Sequence, residues 1–216
     1  MAGALAGLET DGAAPGTVRH VFNILRIALN EAVRSDLITF NVATRLEPPA
    51  SNPRVIAPWD AEEINRFLDA IVGDRYAPLF TLAIVTGLRQ GELLGLAWTD
   101  VDLDAATLTV RRQYTRADTF AEPKSAAGVR TIGIMDLALW ALRAQSRQQA
   151  IDRLAHGWAN TENLIFTTAR GARLHHRVAT GAFVSRTQAA GLRRIRFHDL
   201  RHACATLMMP GARSWP

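Results

Sequence analysis

Cysteine occurs once in this chain, at Cys204, and lysine once, at Lys124, while tyrosine occurs only at Tyr76 and Tyr114. A single thiol excludes an intrachain disulfide framework and a multi-thiolate zinc site, and it makes a reducing compartment, the cytoplasm, the expected home. No stretch approaches the ~20 apolar residues of a membrane span, so no membrane association is expected. The start, Met1 to Leu8, has no basic flank and reaches Glu9 after a short apolar run, which is not the form of a secretion signal. Internal repeats and low-complexity tracts are also missing. Apolar side chains are not scarce: 48% of the 216 residues are hydrophobic and 21% are charged, the balance of a folded protein with a full core.

The net charge of +5 is modest, but it is unevenly spread. Residues 1–58 are neutral, residues 59–164 carry −3, and residues 165–216 hold nine Arg against Asp199 alone, for +8. Such a positive C-terminal quarter suits a polyanion held through phosphate contacts, or an Arg-rich face in water. Of the 25 basic residues, 24 are Arg. The one ammonium, Lys124, therefore stands apart chemically.

Hydrophobic periodicity divides the chain. Val18, Phe22, Leu25, Leu29 and Val33 recur at helical spacing from Thr17 to Arg34 after Pro15-Gly16. A shorter apolar piece, Leu37 to Phe40, leads to Pro48 to Pro58, whose prolines read as an extended linker. Residues 1–47 are too few to bury a full core, so they are expected to be the C-terminal part of a helical domain, with a Pro-rich linker at 48–58 and a second domain at 59–216. Asp60-Ala61-Glu62-Glu63 has the form of a capping box, with Trp59 and Ile64 placed to staple it and Phe67, Leu68 and Ile71 on one face. A second apolar helix spans about Pro78 to Val85 and stops at Thr86-Gly87, and a short third follows Arg89. Ala106 to Tyr114 and Val129 to Ile134 read as strands joined by a hairpin connection at Glu122 to Gly128, with Lys124 near its turn. Further helices are expected over Asp136 to Arg153, Arg177 to Ala190 and Phe197 to Met209, with Leu164 to Thr167 extended.

Three local motifs carry candidate chemistry. Thr86-Gly87-Leu88-Arg89-Gln90-Gly91-Glu92 puts a guanidinium at a glycine-flanked turn, where it could reach a phosphate with Glu92 orienting it, or could be a loop arginine paired with Glu92. On a helix, His198, Arg201 and His202 at i, i+3 and i+4 share a face. His198 and His202 also have the spacing of a metal pair. A glutamate does not follow the first histidine, however, and no third ligand is evident, so no metal is expected. His198 reads either as a capped, hydrogen-bonded histidine or as a proton-handling partner of Arg201 at one phosphate.

Taken in order, Thr86 to Glu92, the hairpin Glu122-Pro123-Lys124-Ser125-Ala126-Ala127-Gly128-Val129-Arg130-Thr131-Ile132, and His198-Asp199-Leu200-Arg201-His202 resemble the tyrosine recombinases, the phage integrases. Thr17 to Pro48 is similar to the last part of the core-binding helical domain that precedes their catalytic domain, so the resemblance covers most of residues 17–207. It implies an α+β, mostly α fold with a small antiparallel sheet, and site-specific recombination on duplex DNA. Arg89 and Arg201 would grip the non-bridging oxygens of the scissile phosphate and stabilise the charge of its transition state. Lys124 would protonate the leaving 5′-hydroxyl, which an ammonium can do and a guanidinium practically cannot. His198 would assist proton transfer. Neither cofactor nor small-molecule substrate is implied, because a tyrosyl-phosphate intermediate retains the bond energy for rejoining.

The same resemblance implies a second His or Trp within a Leu-Gly-His motif, and then a nucleophilic Tyr, after the His-x-x-Arg helix. These 216 residues contain neither there. Tyr76 and Tyr114 lie upstream, at a helix junction and a strand. The expectation is a recombinase fragment truncated at both ends that binds duplex DNA and is unable to cleave it alone. The alternative is a non-enzymatic DNA-binding module, or a regulator that engages full-length recombinase protomers.

Overall fold

A computed structural model describes residues 2–50, 57–122 and 128–201, in two units, Met1–Ile56 and Ala57–Pro216. Lys124, His202, Cys204, Met208 and Met209 lie outside the described residues, as does most of the expected Phe197 to Met209 helix.

In the first unit, α1 (Ala2–Thr10) precedes α2 (Pro15–Arg34) and a 3-10 turn at Val42–Arg45. Proline sits at the first position of α2, where its missing N–H costs nothing. Val18 and Phe22 of the periodic face are fully buried against Leu5 and Ala43, whereas Leu29 is partly buried. The helix α1 was not expected from the Gly/Ala-rich start; alanine's intrinsic preference and burial of Leu5 explain it. Asn41 closes the unit. Its side-chain oxygen accepts from the Ala43 N–H at 2.8 Å, and its amide donates to the Arg26 carbonyl and to Asn30.

The second unit begins as its sequence reads. Asp60 Oδ1 accepts from the Glu63 N–H at 2.8 Å and Glu63 Oε2 from the Asp60 N–H at 3.0 Å, completing the capping box of α3 (Ala61–Ala70). In α4 (Ala77–Thr86) every residue from Ala77 to Val85 is buried, so the helix runs through the core, packed on α6 (Asp136–His156). Gly87 ends it with φ 61°, a left-handed conformation that glycine adopts without a Cβ penalty. The core is aromatic: Trp59, Phe67, Phe80, Phe183 and Phe197 meet with ring centroids 5.0 to 6.0 Å apart.

The expected strand over Ala106 to Tyr114 divides between two sheets. β1 (Val101–Asp102), β2 (Thr107–Val110) and β5 (Arg130–Gly133) form an antiparallel sheet in the order β1-β2-β5. β3 (Gln113–Tyr114) pairs instead with β4 (Phe120–Ala121), a hairpin that the sequence reading did not anticipate. The break falls at Arg111-Arg112, because Arg112 turns back to the Gly95 carbonyl at 2.9 Å and to buried Asp100 at 2.8 Å. β3 lies on the short helix α5 (Gln90–Gly95).

After α6 the chain is extended from Leu164 to Thr167 and then forms α7 (His176–Ala189). The buried amides of Gln145 and Gln149 on α6 donate to the Ile165 carbonyl, and Gln149 also donates to Leu164 and Thr167. Arg193 anchors the start of the unit, reaching Glu63 and the carbonyls of Ala57 and Pro58 together. Arg75 grips Asp152 with two nitrogens, and Arg186 reaches Asp74 at 2.9 Å. Among the described residues, no helix is long and apolar enough to cross a membrane.

Candidate functional site

Arg89 occupies the N-cap position of α5, two residues after the left-handed turn at Gly87. That turn ends the buried helix α4, and the next polar side chain, Arg89, is exposed. Glu92, three residues on, is buried and accepts from the Arg89 backbone N–H at 2.9 Å, which fixes the start of the helix. Its other oxygen accepts from Arg89 Nη1 at 3.1 Å. Arg130, at the start of β5, approaches the same carboxylate with both terminal nitrogens, at 3.2 and 2.9 Å. Burial pushes the Glu92 carboxyl upward, but the hydrogen bonds from Arg130 and Arg89 outweigh it and hold its pKa below the usual carboxylate value. The Arg89 side chain stays 57% exposed.

A second unit of the same design lies ahead of His198. The Arg196 backbone N–H donates to Asp199 Oδ2 at 2.9 Å and its guanidinium binds the same carboxylate at 2.8 to 3.2 Å. Asp199 is buried; desolvation raises its pKa, and the bonds from Arg196 more than reverse this. Phe197, between them, packs against Phe80 of α4 and Phe183 of α7, tying this turn to the helix that ends beside Arg89. His198 and Arg201 are both exposed, and neither side chain makes a hydrogen bond or ion pair among the described residues, although the His198 charge helps to hold the Asp199 carboxyl low. The expected helix start is seen as a 3-10 turn at Phe197–Asp199, continuing into Leu200 and Arg201. Thus Arg89, His198 and Arg201 are all exposed, on segments joined through the aromatic core, and no hydrogen bond among the described residues links their side chains. Lys124 lies between β4 and β5, outside the described residues.

Two features escaped the sequence reading. One is Arg130, whose signal in the sequence is its phase, since along β5 it shares a strand face with half-buried Ile132. The other is an open cleft of about 740 Å³ lined by Gln90, Arg116, His175, His176, Arg177 and Thr180. There the Gln90 amide donates to the His176 carbonyl and to Thr180, joining α5 to the start of α7. His176 is kept below the usual histidine pKa, first by burial and then by the positive charges of His175 and Arg116. Chemically, the arrangement offers exposed guanidinium groups to an anion. Among the described residues, no group of His, Cys, Asp and Glu could hold a metal ion.

Residues 55–212 match the family model described as the phage integrase family. The chain is 28% identical to a tyrosine recombinase XerC-like protein of Caldanaerobacter subterraneus subsp. tengcongensis, over 92% of this chain and 56% of that protein. It is 41% identical to the prophage integrase IntR of Escherichia coli, over 60% of this chain and 32% of that one. It is also 31% identical to a putative prophage phiRv2 integrase of Mycobacterium tuberculosis, over 87% and 50% respectively. The chain thus spans about half or less of the length of these relatives. Among solved structures, it is similar to the Tn1549 transposon integrase in complex with a circular intermediate DNA, with TM-score 0.76 at 20% identity, covering 97% of this chain and 72% of that one. Lambda integrase bound to DNA gives a TM-score of 0.61 at 21% identity, covering 94% and 68%. These two likenesses show the fold.

Proposed function

The chain belongs to the phage integrase family, and on that premise we propose that it is the tyrosine-recombinase catalytic region of a protein acting in site-specific DNA recombination. The observation that carries this reading is the presentation of Arg89. Its backbone is locked by a buried carboxylate, yet its guanidinium reaches into solvent beside a basic cleft. Arg89 and Arg201 hold the scissile phosphate of duplex DNA and stabilise the negative charge that accumulates as the phosphorus becomes five-coordinate. His198, exposed between them in sequence, assists proton transfer at that phosphate, and Lys124 gives its proton to the leaving 5′-oxygen. The basic cleft takes neighbouring backbone phosphates. The full recombinase assembles with other protomers of its kind.

A second reading is favoured by the placement of the two tyrosines. Tyr114 is 2% exposed and Tyr76 stands at the N-terminus of α4 beneath Arg186. These 216 residues then hold DNA while supplying neither tyrosine as a nucleophile.

Fluorescence anisotropy of a labelled random-sequence duplex, read over a salt series, tests the site. R89A and R201A should each lower affinity and reduce the slope of log K against log salt by about 0.9, one phosphate contact. R170A, at an exposed arginine that neither lines the cleft nor contacts Glu92, serves as the reference. If R89A and R201A behave as R170A does, the site assignment is wrong.

A further inference from the structure

Arg89 and Arg130 share one carboxylate, but they do not share it equally. Arg130 meets Glu92 head-on, Nη1 to Oε1 at 3.2 Å and Nη2 to Oε2 at 2.9 Å, a two-point fork. From its own guanidinium Arg89 spends only Nη1, at 3.1 Å, leaving Nη2 and Nε without a partner among the described residues. Exposure follows the same division, with side-chain values of 33% for Arg130, 57% for Arg89 and 8% for Glu92. The two guanidinium groups and one carboxylate sum to a single positive charge. Without Arg130 the sum is zero, and the best remaining partner for a buried carboxylate is the guanidinium three residues away.

We propose that Arg130 is a positioning residue for the Arg89 phosphate site: by taking the larger share of Glu92 it leaves the Arg89 guanidinium exposed and the three groups together with one net positive charge. The inference rests on the proposed reading of Arg89 as a phosphate ligand. It gives Arg130 no contact with DNA; its effect passes wholly through Glu92. It also ties the site to the strand that follows Lys124, because Arg130 is set in β5 by pairing with Val110 of β2.

The test is a charge-balance cycle on the full 216-residue chain, with a fluorescently labelled random-sequence duplex as the probe. R130Q should weaken binding by about tenfold, close to the effect of R89A, the size expected for a lost charge-assisted contact. E92Q/R130Q removes the carboxylate that R130Q left unbalanced and should restore affinity to within about threefold of the parent. R89A/R130Q should bind no more weakly than R89A. If R130Q binds as the parent does, or is not rescued by E92Q and adds fully to R89A, then Arg130 acts by another route and the inference is overturned. If R89A itself binds as the parent does, the phosphate-site reading has failed as well, which separates the two cases. Should R130Q melt below the assay temperature, R130K gives a second reading: it loses the two-point fork but keeps the charge beside Glu92, so it should stay within about threefold of the parent, and a tenfold loss there would count against the proposal.

Discussion

His176 Nε2–H donates to the carbonyl oxygen of Tyr114 at 2.7 Å, and the two rings lie stacked, 5.5 Å apart and 8° from parallel. Phe120 adds a tilted contact at 5.6 Å and the Arg173 guanidinium lies over both the Tyr114 and Phe120 rings. Tyr114 is therefore a packing residue. We expect neither Tyr114 nor Tyr76 to form a covalent link to DNA. A duplex with a 5′-bridging phosphorothiolate, which traps tyrosyl-phosphate, should give no denaturant-resistant adduct through either residue. An adduct that disappears in Y114F or Y76F would sink the assignment.

The same histidine sets a pH dependence. Its pKa is depressed in the fold, so its contribution to stability is present above the unfolded value of about 6.5 and is lost as pH falls through that value toward the folded one. Thermal midpoints should fall between roughly pH 7.5 and 5.5, and H176Q should flatten that step. The lowered carboxylates Glu92, Asp152, Glu162 and Asp199 act in a separate window, being stabilising above about pH 4 and lost below it. An unchanged slope in H176Q would show that the imidazole is not the titrating group.

Gly91 and Gly95 let α5 lie directly on β3. A Cβ at Gly91 would stand 2.7 Å from the Tyr114 carbonyl oxygen, and one at Gly95 would stand 3.0 Å from the Tyr114 nitrogen. Both obstacles are backbone and cannot swing aside. G91A should cost about 1–3 kcal/mol, read as a shift in the urea midpoint, with G95A milder. Full parent stability in G91A would mean that α5 can lift from the strand.

Gln145 and Gln149 back each other up. Both donate to the Ile165 carbonyl at 2.8 Å, and Asn160 also donates to Leu164. Gln149 alone accepts from Trp98 Nε1, at 2.9 Å. Q145L should therefore cost about 1 kcal/mol and Q149L about 2 kcal/mol, while the double variant should exceed their sum because the Ile165 carbonyl then loses both donors. Simple additivity in denaturant titrations would contradict this redundancy.

The helices α2, α3 and α4 were legible because each carries a local signature: apolar spacing in α2, the box at Asp60 and Glu63, and the glycine stop after Thr86. The strands were harder. Ala106 to Tyr114 reads as one β-rich run, and what divides it is a tertiary attachment, Arg112 to Gly95 and Asp100, with no mark in the local sequence. α1 was missed for a related reason, since a Gly/Ala-rich stretch becomes helical once Leu5 finds Val18 and Phe22. At the candidate site, Arg89, His198 and Arg201 were found by motif, and the Arg89–Glu92 contact follows from their three-residue spacing. Arg130 lies 38 residues from Glu92, and β5 brings them together through pairing that single-chain periodicity cannot register.

The cations that brace this fold are guanidinium groups, each reaching a carboxylate: Arg75, Arg112, Arg130, Arg186, Arg193 and Arg196. Acylating esters that modify primary amines at neutral pH leave guanidinium groups alone, because these remain protonated. With one lysine in the 216 residues, such a reagent meets a single side-chain amine, Lys124. Apart from a free α-amino terminus, whose lower pKa makes it the easier target near neutral pH, ordinary amine chemistry can thus tag only the candidate proton donor, while these guanidinium–carboxylate pairs stay intact.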